Sequence, residues 1–548
     1  MDISQWKQRI PKIPYSEYDT LHEKLAKING IEDIDAFLDP DETAIHSPYL
    51  LKNMDSLVER IIRAIKNNLK IFVFGDCDAD GLISGIILYK YLLNFSENVE
   101  LEYVERSTGH GTQHIINEIP EDTDLYIAVD SSSNDVEEMK LLSSKGIECL
   151  VIDHHTVTTD NPYAVLVNPQ QEGCRYPNKN ACGGLLVYKV CQVLDDYMNT
   201  NYAEDFSDLP GFALMADMMS MREMENRYYA RHSLVNLKHF GLKALFEAMN
   251  KDINNLTSTD FVYGVSPAIT AATRLDNIKL AIDLLMSNQE SPTTSSLVKQ
   301  LVEANEYRKK IQAEALEVWK PIVNNRDKAV MIFDPTLGRG MNGLVAQELS
   351  KTFNKPAIVL GQGDNEDVWA GSFRGLDGFS MLELLQKCEN VLYAAGHDSA
   401  GGIQLLMQNF ELLKRELNKQ LWEFEPDDTL YYDLEFDIDD VNEKLINSIT
   451  NFYRVSGREF ESGNFRIKGL FVEDKKLMSK MKNTVKIICD KIHLMKFKTD
   501  EDFYNNVPVF SEIEAIGTLN VNEWKVYKPR FKIVKTNQLF IEDYKVVI

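Results

Sequence analysis

The side chains with the clearest chemical potential fall in IFVFGDCDADGLISG, Ile71 to Gly85, where four apolar residues lead into Asp76, Asp78 and Asp80 at alternate positions before Gly81. Three carboxylates so close repel one another, because neighbouring carboxylates cannot all stay ionised cheaply in a low-dielectric crevice. A hard divalent cation would relieve that repulsion. A solvated acidic turn capping the next helix would also account for this stretch alone. Further along, Asp130 follows LYIAV, and Asp153, His154 and His155 follow IECLVI. Each fits an Asx turn or a helix cap taken singly. Three strands ending this way in one unit favour a metal site, and imidazole among several carboxylates suits Mn²⁺ or Mg²⁺ better than zinc. Asp217, set among alanine and methionine in LMADMMSM, needs a partner or a metal.

The elements that must position these residues follow from periodicity. Short apolar runs at 71–74, 98–104, 124–129, 147–152 and 164–167 alternate with helical patterns at 82–94, near 112–118, at 134–145 and at 183–196. Such alternation predicts a parallel sheet with helices on its faces, and ligands bind beyond the carboxyl ends of its strands. A helical lead-in covers 1–65 and the α/β catalytic unit 66–250. A helical connector at 251–325 contains strong helix formers over 294–323, the pattern of a long spacer helix. A smaller α/β unit spans 326–425, and short alternating runs at 426–548 predict antiparallel strands of a small barrel resembling an OB fold. Small barrels of this type bind single strands through stacking aromatics and basic residues, and this one offers Phe465, Phe471, Trp524, Tyr527, Lys525, Lys528 and Arg530, some of which must be core. The fold class is therefore α/β with an added β-barrel.

At 548 residues the chain is long enough for several domains. Without a signal peptide or an apolar span, it is expected to be cytoplasmic. The seven cysteines form no CxxC pair and read as reduced thiols. A net charge of -25 argues against coating duplex nucleic acid by bulk electrostatics. It leaves room for an enzyme that draws a single strand into a narrow, locally basic channel.

With DHH at Asp153 to His155, the chain resembles the DHH phosphoesterase family, and within it the RecJ single-strand-specific 5′→3′ exonucleases. The resemblance runs in order along nearly the whole chain. FGDCDADG, VDSSSND, VIDHHTV with VNPQQ, and ADMMSM with ENR resemble the four DHH motifs. SPAITAATRLD, RGMNGLVAQEL, GSFRG and AGHDSAGG resemble the connector and DHHA1 motifs, and GREFESGNFRI with GTLNVNEWK the C-terminal barrel. Departures include Phe74, where a histidine is common in the family, Thr273 before Arg274, and the loss of a final serine in GSFRG.

The resemblance implies a two-metal phosphodiesterase that removes nucleotides from the 5′ end of single-stranded DNA. Asp78, Asp80, Asp130, His154 and Asp217 would hold two Mn²⁺ or Mg²⁺ ions, with Asp130 bridging and Asp76 beside or among the ligands. Asp78, Asp130 and His155 are the implied catalytic residues, with His155 donating to a phosphate oxygen. Arg106, Arg274, Ser372, Arg374, Gly396 and His397 are the implied substrate contacts, Ser372 and Arg374 at the terminal phosphate. A monomer is expected, with single-strand-binding protein or a helicase as partners. Two other readings stay open: a DHH phosphodiesterase for short oligonucleotides or cyclic dinucleotides, and a catalytically inactive tethering paralogue.

Overall fold

The computed structural model describes residues 5–363, 365–478, 483–499, 501–526 and 532–547. Three barrel residues expected to stack on or contact a strand, Tyr527, Lys528 and Arg530, lie outside the described residues, as do the side chains of Trp524 and Lys525.

Ile71–Gly75 is buried along its whole length because the sheet around it is covered on both faces. Ile71 and Val73 belong to one core cluster, and Phe72 and Phe74 to another. Five parallel strands run in the order Val99–Tyr103, Ile71–Gly75, Leu125–Val129, Glu148–Ile152, Ala164–Val167. The chain starts in the second position, moves outward, then returns to the other side, so the order reverses between Ile71–Gly75 and Leu125–Val129. A crevice opens at such a switch point. Ala79–Leu92 is capped by Asp78, whose Oδ1 accepts from the Gly81 N–H at 3.0 Å. It packs against Gly183–Met198 and Leu209–Ala216.

The helix expected near 112–118 is only a 3-10 turn at Thr112–His114. Thr112 Oγ1 is taken up by Tyr126 and Ser132, and its N–H by Asp135, which fastens this stretch to the sheet as a loop. The lead-in is not purely helical either. Trp6–Gln8 forms a strand parallel to Leu430–Tyr432. The lead-in, the parallel-sheet unit and the C-terminal region meet at Arg227, which is fully buried. Its guanidinium donates to the carbonyls of Phe37 (2.6 Å), Met221 (3.2 Å) and Val455 (2.9 Å) and lies 3.7 Å from the Phe37 ring centroid.

Pro292–Trp319 is one 28-residue helix, about 42 Å long at 1.5 Å per residue. It leads to a mixed sheet ordered Tyr393–His397, Ala400–Leu406, Val368–Arg374, Ala357–Gln362, Val330–Phe333. The C-terminal strands form a seven-stranded sheet, and two of its pairs are parallel: Leu434–Asp437 with Phe465–Phe471, and His493–Phe497 with Lys532–Val546. The wholly antiparallel expectation fails there because these partners are joined by long connections instead of hairpins. Phe465 is a core residue at 0% exposure, so it is unavailable to a nucleic acid; Phe471 is 51% exposed.

Candidate active site

Asp76, Asp78 and Asp80 leave the end of Ile71–Gly75, and Asp130 leaves the end of Leu125–Val129, so they face one another across the switch point. Asp130 is 1% exposed and holds a φ of +61°, a left-handed conformation that turns its carboxylate into the crevice. The approach depends on Gly183, since a Cβ there would stand 2.6 Å from Asp130 Oδ1. His154 Nε2 lies 3.2 Å from Asp130 Oδ1, 3.4 Å from Asp217 Oδ2 and 4.0 Å from Asp80 Oδ2. Asp130 Oδ1, His154 Nε2 and Asp217 Oδ2 are all buried without a hydrogen-bond partner. Orphaned polar atoms cost stability and are rare in folded proteins. Three that converge offer a cation a ready set of ligand atoms. Asp76, Asp78 and Asp130 form an adjoining group, with ligand atoms within 4.8 Å of one another.

Asp80 differs from its neighbours. Its oxygens accept the Gly183 and Gly184 N–H groups, each at 2.8 Å, at the start of Gly183–Met198. It ties that helix to the site as well as facing His154.

The electrostatics agree with this geometry. Burial, then mutual repulsion, pushes Asp130 well above the usual carboxylate range, and burial does the same at Asp217, with repulsion from Asp80 and Asp78 next. Asp78 is raised for the same reasons, and Asp80 chiefly by burial. Burial also pushes Asp76 up, but the His110 imidazole outweighs it and leaves Asp76 low. His110 itself is raised to about 11 by its hydrogen bond to Asp76. The two histidines of the triplet are driven apart. Burial, then the neighbouring His155, lowers His154 to about 4, leaving the neutral imidazole a metal requires. Burial opposes charge on His155, yet the Asp153 carboxylate overcomes it and raises His155 to about 10. Asp153 is the brace behind both. Its Oδ1 accepts from His155 Nδ1 at 2.8 Å and from the His154 and His155 N–H groups, while Oδ2 accepts from the Ser133 N–H. One histidine is thereby left neutral and the other cationic at neutral pH.

The facing wall is cationic. Ser372 and Arg374 alternate along Val368–Arg374, and Gly343 leaves room for both: a Cβ there would stand 2.8 Å from Arg374 Nη2 and 3.4 Å from Ser372 Oγ. Arg274 Nη1 donates to the Gly340 carbonyl at 2.7 Å. Burial, followed by repulsion from Arg106, Arg308 and Arg374, lowers Arg274 to about 9. Arg106 sits in the loop after Val99–Tyr103, near enough to Asp78 to act on its charge. Among the described residues, none of Arg106, Arg274 and Arg374 ion-pairs with a carboxylate. Gly396, at φ +133°, has Ala400 O and Gly401 Cα where a Cβ would be. His397, next to it, is exposed on its strand and repels His155 across the gap.

Two residues with no place in the sequence reading belong here. His110 reaches Asp76 from a loop, and its only sequence signal was the GHG that frames it. Asn342 is 1% exposed with both amide atoms unpartnered, next to Gly343 in the helix Arg339–Phe353. Its segment, RGMNGLVAQEL, carries part of the resemblance, but nothing there singled out the asparagine.

Comparison with known proteins gives a consistent picture. Residues 70–216 match the DHH family N-terminal domain, and residues 432–534 the RecJ OB domain. Over 94% of its length the chain is 29% identical to the SPbeta prophage-derived single-strand DNA-specific exonuclease YorK of Bacillus subtilis, 96% of which is covered. It is 26% identical over 91% of its length to the single-stranded-DNA-specific exonuclease RecJ of Bacillus subtilis, of which it spans 65%. Its fold matches RecJ of Thermus thermophilus in complex with Mn²⁺, with a TM-score of 0.76 at 20% identity, covering 95% of this chain and 75% of that one.

Proposed function

We propose that this chain, a RecJ-like member of the DHH family, is a metal-dependent exonuclease that hydrolyses single-stranded DNA from its 5′ end. The observation that carries the reading is the convergence of Asp130 Oδ1, His154 Nε2 and Asp217 Oδ2, buried and unpartnered, beside a second carboxylate group. That donor set fits two Mn²⁺ or Mg²⁺ ions. Asp130, His154 and Asp217 would hold one, Asp76 and Asp78 the other, with Asp130 between them; Asp80 supports the first from the start of Gly183–Met198. Bound there, two divalent cations would supply an activated water and offset the charge that builds on the scissile phosphate.

The protein's own groups do the rest. His155, cationic at neutral pH, donates to a phosphate oxygen, with Asp153 holding its ring in place. Arg374 and Ser372 take the terminal phosphate by forked, charge-assisted hydrogen bonds. Arg106 and Arg274 add charge that no carboxylate among the described residues neutralises. Gly396 lets the backbone close on the strand beside His397.

On this reading the chain divides into a lead-in (1–65), a DHH unit (66–250), a connector (251–325), a DHHA1-type unit (326–425) and an OB-like unit (426–548). It works as a monomer, with single-strand-binding protein or a helicase as partners, in the cytoplasm during DNA repair and recombination. The deciding assay is Mn²⁺-dependent cleavage of single strands labelled at either end, beside duplex, RNA dinucleotide and cyclic-dinucleotide controls. Immediate release of 5′ label from single strands alone supports the proposal. Hydrolysis of only the dinucleotides would replace it with the short-substrate alternative.

A further inference from the structure

The carboxylate that opens the acidic stretch is held from outside its own strand. Asp76 is 4% exposed, and His110 Nδ1 lies 2.9 Å from each of its oxygens. The first strand offers no imidazole for this purpose, since Phe74 is fully buried in the core cluster that also contains Ile115 and Met139. Resting on the two-ion reading, we propose that His110 is a positioning residue for the ion held by Asp76 and Asp78, fixing the Asp76 carboxylate toward its neighbours through the Nδ1–H bond.

The loop is built to present this ring. His110 stands between Gly109 (φ +125°) and Gly111 (φ +91°), conformations that side chains rarely adopt. A Cβ at Gly109 would lie 2.4 Å from His114 Nε2, and one at Gly111 2.7 Å from Asp135 Oδ2. Directly after them, Thr112 is fully buried, its N–H donating to Asp135 Oδ2 at 2.7 Å and its hydroxyl meeting Ser132 Oγ at 2.8 Å. Those partners lie on the segment that begins with Asp130. Upstream, the Ser107 N–H donates to Asp276 Oδ1 at 3.3 Å, and Glu105 accepts from the Ile278 N–H at 3.1 Å. The loop is therefore anchored on both sides of His110, and the ring's place does not depend on an ion. Because Nδ1 is committed to Asp76, the imidazole acts on the ion through that carboxylate. Partners of this kind commonly govern metal affinity by about 10- to 100-fold.

The test is an EPR-monitored Mn²⁺ titration of the full chain, with thermal unfolding of the metal-free protein as a check on folding. His110→Ala should keep one ion at wild-type affinity, weaken the other by about 10- to 100-fold, and still unfold in one cooperative transition. His110→Asn should restore most of the affinity, since its Nδ2 stands where Nδ1 stood. On an Asp76→Ala background, His110→Ala should add no further loss. Two ions bound with wild-type affinity by His110→Ala would overturn the proposal, as would an additional loss on the Asp76→Ala background. A wild-type protein that takes up fewer than two ions would instead overturn the two-ion reading on which the proposal rests.

Discussion

The two walls of the cleft are built on different principles. On one, Asp76, Asp78, Asp80, Asp130 and His154 follow from the ends of adjacent parallel strands and Asp217 from the end of the helix Leu209–Ala216, and burial drives Asp130 and Asp217 toward neutrality. On the other, Arg106, Arg274 and Arg374 come from a loop, a connector helix and a mixed sheet, and repel one another in the absence of an anion. The first wall is dominated by carboxylates, with His110 and His155 as its cations, and the second by guanidiniums that no carboxylate pairs with among the described residues. A phosphate strand lying between them, with divalent ions on the acidic side, satisfies both. The first wall should therefore control turnover, and the second should control which strand end is accepted.

The largest expected effect is on the acidic wall. Asp130→Ala should reduce steady-state hydrolysis by about a thousandfold or more, the equivalent of several kcal/mol of transition-state stabilisation. The metal-free variant should melt no lower than wild type, because a buried repulsive charge has gone. Near-wild-type turnover at saturating Mn²⁺ would remove Asp130 from the centre of the account. On the basic wall, Arg374→Ala should weaken binding of a 5′-phosphorylated strand by about 1.5–3 kcal/mol, the range for a lost charged hydrogen bond. A 5′-hydroxyl strand should be affected much less. Equal losses on both strands would move end recognition to Arg274 or His397.

A smaller effect is expected away from both walls. Phe471→Ala should weaken binding to long single strands by about 1 kcal/mol, as for loss of one stacked base, and leave cleavage of very short ones unchanged. If long strands bind as before, this face of the C-terminal sheet does not carry DNA. The smallest effect concerns His155, whose side chain is 49% exposed. Its folded pKa, about 10, lies above the unfolded value of about 6.5. Its contribution is therefore fully present below about pH 6.5 and is lost as pH rises toward 10. In chelator, the wild-type melting temperature should fall across that window by a component missing from His155→Gln. Parallel curves would mean that Asp153 does not hold the ring as a cation.

Most of the acidic wall was legible in the sequence because it is local: an apolar run, then an aspartate, repeated at the strand ends, with Asp217 marked by its apolar helix. The fold class followed from the same alternation. The basic wall was named through Arg106, Arg274, Ser372 and Arg374 by resemblance, but the convergence of its guanidiniums depends on how the connector and mixed sheet pack, which no local pattern encodes. His110 escaped notice because its role rests on a contact across 34 positions, and a lone histidine between glycines reads as loop. Phe465 was misread as a candidate contact for the same reason: its alternation places it on one face of the strand without telling which face is buried.

The most direct test of the central claim is an anomalous-difference map from crystals of the full chain soaked in Mn²⁺. A two-ion centre should give two peaks about 3.5–4 Å apart, one beside His154 and Asp217 and one beside Asp76 and Asp78, with Asp130 reaching both. A single peak, or none among these side chains, would contradict it.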